Sequence, residues 1–248
     1  MRNNFIVHPF LPDTHVSVCA VSEDADEVIR QLEKREIEVI KIKKAKNLQW
    51  QVSSHPDMQI LPLGGKSVAV NKEQNDAIQT LEEYGFHVIT VDELAPDYPF
   101  DCSLDVVPLN HFLFLNEKSK IDDGSIYTDR ENIHVNQGYC KCSTILINEE
   151  CVITDDAGLG KTYSSFVKNV IVLEQNEVEL HGYDRGFVGG SCGKLGKDVL
   201  AFSGRIPDSS FGRKLINCLK SFNIEIVELS NNILTDIGGI VPLMQKSI

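Results

Sequence analysis

Apolar residues recur along the chain with two periods, and the order in which the periods change is repeated. Residues 15–21 alternate with period two and predict a strand. Ser22-Glu-Asp-Ala-Asp then opens a helix whose Val28, Ile29 and Leu32 share a face, and residues 37–42 return as a strand. From Asp57 the order is strand 60–63, a turn at Gly64-Gly65, strand 67–70, helix 73–84 with Ala77, Ile78 and Leu81 on one side and Gly85 as its cap, then strand 87–91. From Cys102, residues 104–108 and 112–115 form a hairpin across Asn110-His111. A polar stretch, 116–129, stands where a helix is expected, and 133–135 is the third strand. From Cys142, strands 143–147 and 151–154 flank Asn148-Glu149-Glu150, followed by a short helix near 163–168 and a strand at 170–173. From Cys192, strand 199–202 precedes a helix over 211–222, with Leu215, Ile216 and Leu219 inward, and a strand at 224–229. From Asp236 only the strand 240–243 remains.

Asp57, Cys102, Cys142, Cys192 and Asp236 head these units at intervals of about 40 to 50 residues, the period of a repeat architecture. The last unit has a first strand and nothing after it, whereas residues 15–42 are the remainder of a unit. If the N-terminal segment completes the fifth unit, a ring of strand-strand-helix-strand repeats closes with no open sheet seam. No Pro/Gly/Ser-rich linker divides the chain, so one α/β domain over 1–248 is expected.

Composition narrows the function. With 42% hydrophobic and 24% charged residues, the 248-residue chain is an ordinary globular one. Its net charge of −12 repels phosphate backbones and argues against nucleic acid as a partner. The basic cluster Lys41-Ile-Lys43-Lys44-Ala-Lys46 is short and reads as a solvated strand end. No apolar run is long enough for a membrane span, and residues 1–8 do not form a signal peptide. Seven scattered cysteines, an odd number, suit reduced thiols in a cytoplasm better than a disulfide framework.

Three stretches carry a resemblance: Gln137-Gly-Tyr-Cys-Lys-Cys-Ser-Thr144, Gly182-Tyr-Asp-Arg-Gly-Phe-Val-Gly-Gly-Ser-Cys-Gly-Lys194 and Leu234-Thr-Asp-Ile-Gly-Gly-Ile-Val-Pro-Leu243. Through them and the unit order over about 10–248, the sequence resembles the pentein, or guanidino-modifying-enzyme, fold of arginine deiminases, dimethylarginine hydrolases and amidinotransferases. In detail it is most similar to a bacterial group of that fold with uncharacterised activity. The resemblance implies a five-bladed α/β propeller with a site on its pseudo-five-fold axis, where catalytic members use a cysteine nucleophile, a histidine and carboxylates. The sequence departs at the nucleophile. Catalytic members carry that cysteine in the fifth unit near the C-terminus. Gly238-Gly239-Ile-Val-Pro-Leu243 has none, and the last cysteine is Cys218.

In such a ring Asp57, Cys102, Cys142, Cys192 and Asp236 point at one another. Two carboxylates across an axis hold a guanidinium or amidinium by paired, charge-assisted hydrogen bonds. A thiolate beside them attacks its central carbon, and Lys141, His55 or the bound cation supplies the positive charge that favours the thiolate. Cys142 is the first candidate nucleophile and Cys192 the second, against the alternative of buried free cysteines that merely pack. Cys102 and Lys141 join Asp57 and Asp236 as candidate ligand-binding residues; for the two aspartates, turn or cap use is the other reading. Cys140 is a neighbour of the site or a packing residue, and Cys19, Cys151 and Cys218 read as packing. His55, extended before Pro56, is a general base or a surface histidine. Asp155-Asp156 reads as a helix cap. The glycines between 182 and 196 read as tight turns. Gly158-Leu-Gly-Lys161-Thr162 has Asp155 where a phosphate loop requires glycine.

Three functions remain: a cysteine-dependent hydrolase or transferase acting on a guanidino, amidine or amide group, a non-catalytic propeller that binds a small cation, and a thiolate metal site built from Cys102, Cys142 and Cys192 with an Asp or His. The last is weakly supported, because Cys140-Lys-Cys142 has no second close-spaced pair. A small-molecule ligand is expected and no cofactor. The sequence carries no signature of an oligomeric state.

Overall fold

The apolar runs around each two-residue turn form strand pairs in the computed structural model, which describes residues 3–92, 94–119, 129–174 and 176–247. In chain order the elements are β1 (Asn3–Phe5), β2 (Val16–Ser22), α1 (Asp26–Glu33), β3 (Glu38–Ile42), β4 (Ile60–Gly64), β5 (Ser67–Asn71), α2 (Asn75–Glu83) and β6 (His87–Val91). Then come β7 (Val107–Leu109), β8 (Phe112–Asn116), β9 (Glu131–Val135), β10 (Thr144–Asn148), β11 (Cys151–Thr154), α3 (Ala157–Tyr163) and β12 (Asn169–Val172). Last are β13 (Cys192–Gly196), β14 (Val199–Phe202), α4 (Ser210–Ser221), β15 (Glu225–Glu228) and β16 (Val241–Lys246).

Among the described residues these strands make five small sheets of one pattern. In four of them the first strand pairs antiparallel with the second, and the second parallel with the third: β4-β5-β6, β7-β8-β9, β10-β11-β12 and β13-β14-β15. The fifth is assembled from both ends of the chain, in the order β1-β16-β2-β3, with β16 antiparallel to β2 and β2 parallel to β3. A parallel partner requires a crossover, and α1 to α4 supply it in four sheets. The expected irregular stretch 116–129 is the crossover of the remaining sheet, and most of it, 120–128, lies outside the described residues.

Each hairpin closes on two residues. Leu109 pairs with Phe112 across Asn110 and His111, and Asn110 takes the left-handed φ of 53° that such a turn demands. First and second strands are buried almost throughout, whereas β6, β9, β12 and β15 are largely half-buried or exposed. That difference explains the sequence texture, because a strand covered on both faces reads as a continuous apolar run. One apolar cluster joins β2 and β16 to the sheets of β4, β7 and β10. A second joins β10 and β11 to β14 and α4, and a third returns from Leu195 and Ala201 to Val16, Cys19 and Val28.

The structure corrects the reading in three places. The helix expected at 163–168 lies six residues earlier, as α3. Asp156 is its N-cap, accepting from Leu159 N–H at 2.7 Å, while a Cβ on Gly160 would collide with Val172. The first strand expected at 104–108 begins only at Val107, because 102–105 form a turn in which Asp105 N–H donates to Cys102 O. β1 carries no strand signal in the sequence; its Asn-Asn-Phe pairs antiparallel with the edge that β16 offers. In the basic cluster, Lys43 pairs with Asp76 and Lys44 with Asp24. No helix among the described residues is long and apolar enough to cross a membrane.

Candidate functional site

The short turns that precede the first strands converge on one buried spot. Pro56 holds His55 extended (φ −67°, ψ 120°) and starts a single 3-10 turn, Pro56–Met58, that carries Asp57. The backbone knits this turn to the last one, with Asp57 N–H donating to Gly238 O at 3.1 Å. The turn before β13 is knitted in the same way. Gly190 N–H donates to Cys142 O at 2.9 Å, and Gly190 O accepts from Ile237 N–H at 2.9 Å and Gly239 N–H at 2.7 Å.

Within this frame Cys142 Sγ donates to Asp57 Oδ2 at 2.6 Å. Asp105 Oδ1 accepts from the backbone N–H groups of Lys141 at 2.5 Å and Cys142 at 3.1 Å. Asp236 is held by Gly238 N–H on Oδ1 and Phe187 N–H on Oδ2, both at 2.9 Å, and its Oδ1 lies 3.7 Å from His55 Nδ1. None of His55, Asp57, Asp105, Cys142 and Asp236 is more than 4% exposed. Asp155 stands behind Asp236, its Oδ2 accepting from Asn176 Nδ2 at 2.6 Å and Val188 N–H at 2.8 Å. Three carboxylate oxygens in this group are buried with no partner: Asp57 Oδ1, Asp105 Oδ2 and Asp155 Oδ1. Such atoms are rare and costly in a folded protein.

The electrostatics follow from the crowding. Burial, reinforced by Asp57, pushes the Asp105 carboxyl well above its ordinary range. Burial raises Asp236 too, opposed by His55 and helped by Asp57, and it raises Asp155 to about 7. The Cys142 thiol is pushed well up by burial first and then by Asp105, Asp57 and Asp236. At rest the sulfur therefore keeps its proton. A cation placed among these carboxylates would favour the charged forms and so oppose each of those shifts.

Four of the residues singled out in the sequence, His55, Asp57, Cys142 and Asp236, are brought together here. His55 is buried, which removes the surface reading. Cys102 is turned away, its Sγ donating to Pro99 O at 3.0 Å. Cys192 faces Val188 O at 3.5 Å within an apolar cluster that includes Ile145 and Leu200, and burial pushes its thiol up to about 12. The Lys141 side chain also leaves the cluster: its Nζ donates to Thr144 O at 3.3 Å and lies 5.2 Å from the centroid of the Phe10 ring. Lys141 and Cys192 line a separate cavity of about 10 Å³, room for one water at most. The three-cysteine metal set is thus not assembled; the donors that do gather are His55, Asp57 and Cys142. Cys140 donates to Gln137 O within the core, a packing role.

Sequence reasoning missed Asp105 and Asp155. Asp105 lies two residues before β7, as Cys142 lies two residues before β10, and that spacing selects it over Cys102. The Asp155-Asp156 pair holds one cap and one site-side carboxylate, since Asp156 alone caps α3. The glycine run is also more than a set of turns. Gly190 has ordinary dihedrals, but a Cβ there would stand 2.6 Å from Asp236 Cγ, so glycine makes room for the carboxylate.

No curated protein matches the chain in sequence. Among solved structures it is similar to inosamine-phosphate amidinotransferase StrB1 from Streptomyces griseus, with a TM-score of 0.64, 10% identity, and coverage of 100% of this chain and 98% of that one. It is also similar to SxtG, an amidinotransferase of the saxitoxin biosynthetic pathway of Microseira wollei (TM-score 0.56, 12% identity, 90% and 91% covered). A DDAH from Pseudomonas aeruginosa, a mutant complexed with citrulline, gives a TM-score of 0.55 at 8% identity, with 96% and 100% covered. These neighbours are guanidino-modifying enzymes of the pentein fold, and at such identities the likeness is one of fold. The model of a family of unknown function, DUF6873, matches residues 20–241, and the chain belongs to that family.

Proposed function

We propose that the protein is a single five-bladed α/β propeller that modifies a guanidino or amidine group, with Cys142 as nucleophile at an axial site of Asp57, Asp105, Asp236 and His55. The ring is supported by five like-patterned sheets and by apolar clusters that lead from sheet to sheet and back to the first. The observation that carries the chemistry is the 2.6 Å contact from Cys142 Sγ to Asp57, beside unpartnered oxygens of Asp57 and Asp105.

A planar amidinium offers those oxygens N–H donors in pairs. Its charge favours the thiolate, and Asp57 Oδ2 takes the Cys142 proton along the existing hydrogen bond. The sulfur then attacks the central carbon, the C–N bond breaks, and the departing nitrogen takes a proton from Asp57, with His55 and Asp236 as the relay. The products of this step are an S-linked amidino adduct and a free amine or ammonia. Water resolving the adduct makes a hydrolase, and a second amine makes a transferase.

Intact-mass and peptide mass spectrometry after incubation with a panel of guanidino and amidine compounds test this reading. The expected result is an amidino mass increment on Cys142, lost in Asp57→Asn. An adduct on Cys192 instead moves the nucleophile to the second candidate. Cations that raise the melting temperature of both wild type and Cys142→Ala, without any adduct, overturn the enzyme reading in favour of a cation-binding propeller.

A further inference from the structure

His55, Asp57 and Cys142 each bring one donor atom into a small group: an imidazole nitrogen, a carboxylate oxygen and a sulfur, all within 4.8 Å of one another, on three buried residues. They come from two turns in separate parts of the chain, so the fold gathers them. Pro56 fixes the backbone that presents His55. Gly238 packs against the histidine so closely that a Cβ at 238 would stand 2.5 Å from His55 Cα. A second, independent observation is the Oδ1 atom of Asp57, which is buried and has no hydrogen-bond partner. The residue therefore keeps unused acceptor capacity after Oδ2 has met the thiol.

The donor set selects the ion. Magnesium and calcium prefer shells made of oxygen alone, whereas mixed nitrogen, oxygen and thiolate sulfur suits zinc. Tetrahedral zinc holds such donors about 3.4 to 3.6 Å apart. The 2.6 Å separation of Cys142 Sγ and Asp57 Oδ2 must open by about an ångström, and the widest separation in the set must close by about as much.

We propose that His55, Asp57 and Cys142 form a three-ligand site for Zn²⁺ or a similar thiophilic divalent cation, with the fourth position left to water or an incoming ligand. Binding replaces the S–H bond by an S–Zn bond and releases one proton to solvent, with no change of oxidation state. The ion occupies the same sulfur as the guanidino chemistry but the inference does not depend on that chemistry. Zinc and a reacting Cys142 exclude each other.

The test uses the full chain, treated with chelator and then titrated with ZnCl₂ or MgCl₂ by calorimetry, with bound metal counted by atomic absorption. One Zn²⁺ per chain and no Mg²⁺ is expected. Cobalt loading of the wild type is expected to show a thiolate-to-cobalt charge-transfer band, a readout that needs no variant. His55→Ala should weaken zinc binding by more than about tenfold, since even an outer-shell partner is worth that much, and Cys192→Ser should leave it unchanged. Absence of stoichiometric zinc, absence of the cobalt thiolate band, or zinc affinity equal in wild type and His55→Ala overturns the site. Zinc that suppresses alkylation of Cys142 supports it even where no amidino adduct ever forms. An adduct in a protein that binds no zinc removes this inference and leaves the enzyme reading intact.

Discussion

Asp155 offers a direct measurement of what the crowded carboxylates cost. Its Oδ2 is bonded to Val188 N–H and Asn176, its Oδ1 is buried without a partner, and burial with help from Asp236 raises its pKa from the ordinary 3.8 to about 7. The folded chain thus holds the Asp155 proton more tightly than the unfolded chain. Its contribution is fully present below about pH 4 and is lost as pH climbs through about 7. Between about pH 5 and about pH 8 the loss works out at about 2.5 kcal/mol. Asp155→Asn keeps the shape and an oxygen for the same two donors but does not titrate. Any pH-independent effect of the amide cancels when two pH values are compared. Urea unfolding of both proteins at both pH values should therefore show the variant gaining about 2.5 kcal/mol on the wild type in going from about pH 5 to about pH 8. A gain below about 0.5 kcal/mol, or a loss, would refute the assignment of a burial-raised carboxyl to this residue.

Asp105→Asn keeps the acceptor for the Lys141 and Cys142 N–H groups and removes a charge that, after burial, is the largest contribution to the raised Cys142 thiol. Its iodoacetamide labelling profile at Cys142 should move to lower pH, and an unmoved profile contradicts the electrostatics. Gly190→Ala sets a methyl against a carboxylate whose oxygens are both bonded, so overpacking and a strained hydrogen bond together should cost about 3 kcal/mol or more. Gly65→Ala is its control, with φ of 57° and no atom within 4 Å, and should cost about 1 kcal/mol; equal costs in urea refute the close-approach argument. Asp156→Ala should destabilise by about 1 kcal/mol through loss of the α3 cap, and Asp156→Gly by less. The reverse order contradicts the capping role.

Most of the fold is legible in the sequence because local signals and tertiary burial agree. Val28, Ile29 and Leu32 in α1 announce themselves, and so does the hairpin after β4. Its two-residue turn is Gly65-Lys66, one residue later than expected, because Gly64 still pairs with Ser67. The failures occur where tertiary contact decides. The glycines of α3 argue against a helix, yet Asp156 caps one there, and Gly160 is glycine because a side chain would collide with Val172. The Asn-Asn-Phe of β1 has no apolar pattern and depends on an edge over two hundred residues away in the chain. In the site, position ahead of a first strand pointed to Asp57, Cys142 and Asp236. The same rule fails at Cys102 and Cys192, whose thiols face Pro99 O and Val188 O. From those two units it is Asp105 that reaches the cluster, through the Cys142 N–H, and Gly190 that borders it, yielding its volume to Asp236. A repeat in sequence shows that the turns are equivalent, not which of them yields space to its neighbour.

The placement of β16 between β1 and β2 bears on how the chain is made. Ribosomes deliver β2 about 220 residues before β16, and at about 5 to 20 residues per second the wait is about 10 to 45 s. Throughout it, a strand whose seven residues are all buried in the finished molecule has an unpaired edge. The sheets of β4, β7, β10 and β13 have all their strands in hand sooner, so the first sheet begun is the last completed. The nascent chain is therefore a better client for a chaperone than the folded protein, and substitutions in β16 should lower the yield of soluble protein during synthesis more than equal losses of stability elsewhere.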